Sequence, residues 1–114
     1  MNYNVIATVR FEKEMKRLTK KFPSLKAEYA TLIEDLEQNP EKGTPLGNNC
    51  FKIRLAIASK SRGKSGGARV ITNFYVENDT VYLLSIYDKN EKENITDKEL
   101  KKLLSKIDFP AVTP

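Results

Sequence analysis

The chain is 114 residues long, with 20 basic and 15 acidic residues, a net charge of +5, one cysteine and no histidine. Its length fits one domain with a modest core, and 39% apolar against 31% charged residues is the balance of a globular protein rather than a disordered one. No apolar run approaches the ~20 residues that cross a bilayer. The start, Met1 to Glu14, lacks a basic leader with an apolar stretch behind it, so a cytoplasmic location is expected and no membrane is implied. Cys50 alone makes no disulfide framework. Without histidine the usual zinc ligand and the usual proton shuttle near pH 7 are missing, so neither metal nor cofactor is expected. Any proton transfer falls to Lys, Tyr, Asp or Glu.

Tyr3 to Val9 is short and β-branched, and reads as a first strand. Phe11, Met15, Leu18 and Phe22 then recur at helical spacing until Pro23 interrupts them. Leu25, Tyr29, Leu32, Ile33 and Leu36 restart the pattern, with Ser24 as the N-cap. Asn39-Pro40 ends the second helix, and the stretch through Asn49, with Gly43, Pro45 and Gly47, reads as loop. Phe51, Ile53, Leu55 and Ile57 alternate with Lys52, Arg54, Ala56 and Ala58, the pattern of a half-buried strand. Ser59 to Gly67 is a basic, Gly-rich connection to a second strand, Ala68 to Val76. Asn78-Asp79 turns that strand into Val81 to Tyr87 as a hairpin. Thr96 with Glu99 makes a capping box for a last helix carrying Leu100, Leu103, Leu104 and Ile107, and the tail 108–114, with two prolines, is expected to fray. The sum is a single α+β domain over 1–114: a small antiparallel sheet in the order β-α-α-β-β-β-α, with the two N-terminal helices packed on one face.

The charge is not spread evenly. From Lys42 to Val76 there are seven basic residues and no acidic one, while elsewhere 13 basic residues meet 15 acidic ones. A block this one-sided points to an anionic partner, above all a nucleic-acid backbone. Lys52 and Arg54 lie two apart on a strand and leave the same face. Arg69 on the next strand can share it with Tyr75, and Tyr87 with Lys89 ends the third. Lys52, Arg54, Arg69, Tyr87 and Lys89 are therefore expected to converge on one concave surface. Such a cluster suits RNA cleavage, in which a 2′-hydroxyl attacks the adjacent phosphate. Arginine can bind the charge that gathers on the phosphate oxygens, and a lysine crowded by like charges can serve as base. The loop 59–67 contains Gly-Lys-Ser, but a phosphate-binding loop needs glycine where Ala58 stands, and a strand rather than a helix follows. Lys60, Arg62 and Lys64 are read instead as RNA-backbone contacts.

Three ordered runs carry a family resemblance: Cys50 to Leu55, then Gly63 to Ile71, then Tyr82 to Leu84 with Ile86 to Lys92. Together with the element order they resemble the RelE/HigB toxins of bacterial type II toxin–antitoxin modules, the Gly-Lys-Ser-Gly-Gly-x-Arg-Val stretch pointing to the HigB-like branch. The resemblance implies a metal-independent, ribosome-dependent mRNA endonuclease that cuts in the decoding site. It implies catalytic roles for Lys52, Arg54 and Arg69, with Tyr87 and Lys89 as the nearest candidates for the later positions. RelE itself has a further tyrosine near its C-terminus. None follows Tyr87 here, which leaves the general base open. The implied partners are a cognate antitoxin, of the helix-turn-helix HigA-like type, the ribosome with its mRNA, and operator DNA through the antitoxin complex. A ParE-like gyrase inhibitor and a non-catalytic RNA-binding domain are the alternative readings.

Overall fold

A computed structural model of the chain describes residues 2–60 and 66–107; Arg62, Lys64, the side chain of Lys60 and the tail 108–114 lie outside the described residues. The elements run β1 (Asn4–Ala7), α1 (Val9–Lys21), α2 (Leu25–Gln38), β2 (Thr44–Gly47), β3 (Cys50–Leu55), β4 (Ala68–Tyr75), β5 (Thr80–Asp88) and α3 (Asp97–Ser105). The five strands form one sheet in the order β1-β5-β4-β3-β2. The α+β class and the two-helix layer are as the sequence implies.

Thr8 starts α1: its hydroxyl accepts the Phe11 N–H at 3.2 Å and donates to the Leu83 carbonyl at 2.9 Å, which ties the helix entry to β5. Phe11, Met15 and Leu18 of α1 and Leu25, Leu32 and Leu36 of α2 pack on Phe51, Ile53, Val70, Leu83 and Ile86 of the sheet. Spacing of three and four residues puts each helix's apolar side chains on one stripe, and the sheet's alternation presents the matching face.

Four details depart from the sequence reading. The stretch expected to be loop contains β2, which pairs antiparallel with β3 through Thr44↔Lys52, Pro45↔Phe51 and Gly47↔Cys50. Asn48 and Asn49 both adopt positive φ, 54° and 58°, and close a tight two-residue hairpin. Pro45 is tolerated because β2 is an edge strand. The sheet is mixed, because β1 runs parallel to β5, Asn4↔Thr80 through Ala7↔Leu83. The last helix lies on the opposite face from α1 and α2: its Leu100 and Leu103 pack with Cys50, Ile71, Tyr82, Leu84 and Tyr87. Ser24 precedes α2 but makes no side-chain cap. Its hydroxyl is taken by Glu28, by the Ser59 hydroxyl at 2.7 Å and by the Ser59 N–H at 3.0 Å, contacts that join α2 to the turn at Ala58–Lys60 after β3.

The expected capping box is present. The Glu99 N–H reaches the Thr96 hydroxyl at 3.1 Å, and the Glu99 carboxylate accepts the Thr96 N–H at 3.2 Å. Thr96→Ala should lower stability by about 1 kcal/mol, read as a shifted denaturant midpoint with unchanged slope. An unmoved midpoint would mean that packing of Leu100 and Leu103 alone starts the helix.

Candidate active site

The strand registers bring four of the five predicted residues onto one face; the fifth, Lys89, lies just past the end of β5. Arg54 of β3 stands opposite Arg69 of β4, and Arg69 stands opposite Tyr87 of β5. The three form one cross-strand row, with neighbouring Cβ atoms ~5 Å apart. Lys52, two residues before Arg54, shares the face one step along, opposite Ile71. This is the face that α3 covers at its other end, so the row lies beside the small core of Cys50, Ile71, Tyr82 and Leu84. Tyr75 shares the face with Arg69, as alternation requires, but sits opposite Thr80 at the far end of β4 and is no part of the row.

The members differ in exposure. Arg54 is exposed at the sheet edge beyond the end of β2 and also lines a cleft of about 280 Å³ between α2 and β3, with Glu28, Thr31 and Asp35. Lys52 is half-buried and donates to the Asn94 side chain at 3.2 Å. Lys89 is half-buried and donates to the Glu93 carbonyl at 3.0 Å, while its backbone N–H binds the Gly67 carbonyl at 3.1 Å. Arg69 and Tyr87, by contrast, are 4% and 6% exposed. The Arg69 guanidinium donates to the Ala68 carbonyl at 3.1 Å. The Tyr87 hydroxyl is buried without a hydrogen-bond partner among the described residues. Burial pushes its phenol up from the ordinary tyrosine value, and the Arg69 charge pulls it partly back. Tyr87 therefore holds its proton at neutral pH, as a donor rather than a base.

The turn after β5 adds two features that alternation could not reveal. The Asp88 carbonyl accepts the N–H groups of both Glu91 and Lys92 at 3.0 Å, and the Asp88 carboxylate accepts the Asn90 N–H at 3.0 Å. This tight turn carries Lys92 back over the Tyr87 ring, its ammonium 5.7 Å from the centroid, within cation–π range. The signal in the sequence is Asp88 two residues before Asn90, the pattern of an aspartate-led turn. Second, α1 holds the turn from the other face: Arg17 grips Glu91 with two bonds of 2.9 and 3.2 Å, and Lys21 reaches the buried Asp88 at 3.8 Å. The grip holds the Glu91 carboxyl below its ordinary value, chiefly through the Arg17 hydrogen bond.

Among the described residues no group of three carboxylate or thiol side chains could hold a metal ion, and no helix is long and apolar enough to cross a membrane. The Arg69 guanidinium and the Lys92 ammonium are the cations shown beside the buried Tyr87 ring, with Arg54 one strand further along the row.

The fold has known counterparts. A free, doubly arginine-to-alanine-substituted form of the Escherichia coli toxin RelE superposes with a TM-score of 0.63 at 18% identity, covering 94% of this chain and 99% of that one. The toxin–antitoxin complex RelBE2 from Mycobacterium tuberculosis gives 0.55 at 23% identity, covering 77% and 92%. The intact E. coli RelBE complex gives 0.56 at 20%, covering 75% and 95%. At these identities the likeness is one of fold. A family model, the RelE toxin of the RelE/RelB toxin–antitoxin system, matches residues 7–108. The chain belongs to the RelE toxin family and is the toxin of a toxin–antitoxin system.

Proposed function

We propose that this toxin is a metal-independent endoribonuclease that cuts mRNA on the ribosome, within the cytoplasm. The cross-strand row Arg54–Arg69–Tyr87 carries the reading, flanked by Lys52 and Lys89. Arg54 and Arg69 hold the phosphate oxygens as they gain charge, where planar paired donors act best. The 2′-oxygen bonds to phosphorus and the 5′-oxygen leaves. Lys52 accepts the 2′ proton, and Tyr87, protonated at neutral pH, delivers its phenolic proton to the departing 5′-oxygen. Lys89 steadies the strand of RNA, and Lys60, Arg62 and Lys64 are assigned to contacts with its backbone.

The same reading assigns a cognate antitoxin as partner, by analogy with the complexes of the fold relatives, and favours a helix-turn-helix, HigA-like protein through which operator DNA would be bound.

The test is end-mapping of a translated mRNA after adding the purified protein to a bacterial translation system, beside a ribosome-free control. Discrete cuts in register with codons, only with ribosomes present, are expected. Cuts in both tubes would make it a ribosome-independent nuclease. Intact mRNA in both would shift the weight to gyrase inhibition or simple RNA binding.

A further inference from the structure

We propose that Lys92 is a further RNA-contacting residue, a cation held in reserve by Glu99 beside the Tyr87 ring. The inference rests on RNA being the substrate.

Three observations converge on it. Lys92 lies off the strands, yet the turn led by Asp88 returns its ammonium to the face of Tyr87. Its surroundings are otherwise those of the proposed site: Lys52 and Lys89 are both engaged by the same connection, through the Asn94 side chain and the Glu93 carbonyl. The Lys89 contact is a single neutral acceptor, which a phosphate oxygen can replace with a stronger, charge-assisted one. Lys92 differs in that its partner is charged: it pairs with the Glu99 carboxylate through Oε2. Glu99 is fixed independently, because its Oε1 accepts the Thr96 N–H and hydroxyl at 3.2 and 3.1 Å.

The asymmetry decides what moves. The carboxylate is anchored on the first turn of α3, whereas the lysine sits on a flexible four-carbon stem with a side chain about one-third exposed. An ion pair this open to solvent contributes little to stability in water. An incoming phosphate, itself fully charged, competes with Glu99 for the ammonium without dismantling the cap. Tyr87 supplies the second reason: its hydroxyl is buried with no partner among the described residues, and the Lys92 ammonium lies 5.7 Å from the centroid of its ring.

The experiment compares wild type with Lys92→Ala, Lys92→Arg and Glu99→Gln. Binding is measured to a short single-stranded RNA bearing 2′-O-methyl groups, which cannot be cut, across a salt series. For Lys92→Ala the expected result is affinity about 3- to 5-fold weaker at low salt and a log–log salt slope shallower by ~0.7, the signature of one lost phosphate contact. Lys92→Arg should keep the slope. Glu99→Gln retains the cap, since glutamine serves the capping box as well, and should bind RNA at least as tightly as wild type.

A purely structural lysine gives the opposite pattern: Lys92→Ala with the wild-type slope, and Lys92→Ala and Glu99→Gln losing thermal stability in parallel. That pattern would overturn the proposal. Mapping cuts with the same proteins separates the two inferences. Wild type that binds RNA with the lysine-dependent slope but cuts nothing upholds Lys92 and removes the endonuclease. Wild type that neither binds nor cuts removes both.

Discussion

Arg69→Ala should reduce mRNA cleavage in a translation system by about 100- to 1000-fold, the range for removing one preorganised donor from a developing oxyanion. Of the site residues Arg69 is the most central: it stands between Arg54 and Tyr87 in the row, and it is 4% exposed. Its low exposure matters in two ways. A guanidinium already stripped of most of its water loses little more when RNA arrives, so its full attraction is available to the transition state. Removing it also deprives Tyr87 of the neighbouring charge that offsets burial, so the phenol becomes a still weaker acid. Ribosome binding, spread over the basic surface, should survive, and co-sedimentation with ribosomes measures it. Growth arrest on expression should vanish with cleavage. Unchanged growth arrest with intact ribosome binding would exclude Arg69 from the chemistry and favour a toxin that acts by occupying its target.

Much of this geometry can be read from the chain because it depends on local rules. Pro23 separates two helical stripes, and the structure has helices ending at Lys21 and starting at Leu25. Alternation from Phe51 to Leu55 fixes which side chains face α1 and α2, and therefore puts Lys52 and Arg54 on the other side. Asp79, at φ 48°, turns β4 into β5, but that turn's register alone would set Arg69 opposite Ile86; a bulge that leaves Leu84 unpaired shifts the ladder by one residue and brings Arg69 to Tyr87. The misses have non-local causes. β2 hides behind Pro45 and Gly47, residues with poor strand tendency that an edge accepts. The parallel pairing of β1 with β5 leaves no mark on periodicity, which reports a strand's faces and not its direction. The side on which α3 docks is decided by Leu100 and Leu103 finding Cys50, Ile71 and Leu84, a contact between segments about 50 residues apart in part. The return of Lys92 over Tyr87 depends on the Asp88 turn and on the pairing of Lys92 with Glu99 of α3, so it emerges only in three dimensions.

The glycine that opens β4 shows how closely site and fold are joined. Gly67→Ala should abolish cleavage and destabilise the protein by at least about 1–3 kcal/mol, the usual range for overpacking. A Cβ at Gly67 would overlap the Leu55 carbonyl oxygen and come within 3.1 Å of the Ala56 Cα. Both are backbone atoms and cannot rotate away, so the strands must part. Leu55 pairs with Ala68, next to the Arg54–Arg69 pair, so the parting falls one step from the row. It also lifts the Gly67 carbonyl from the Lys89 N–H, the bond that sets the start of the turn carrying Lys89 and Lys92. A single methyl group thus displaces both arginines relative to Tyr87, and misplacement of ~1 Å is enough to cost about 100-fold in rate. Circular dichroism with denaturant titration, run beside the cleavage assay, separates the two losses. A Gly67→Ala protein that folds with wild-type stability and cuts at the wild-type rate would show that the strands tolerate a side chain there, and that the close approach of β3 and β4 is not what aligns Arg54 with Arg69.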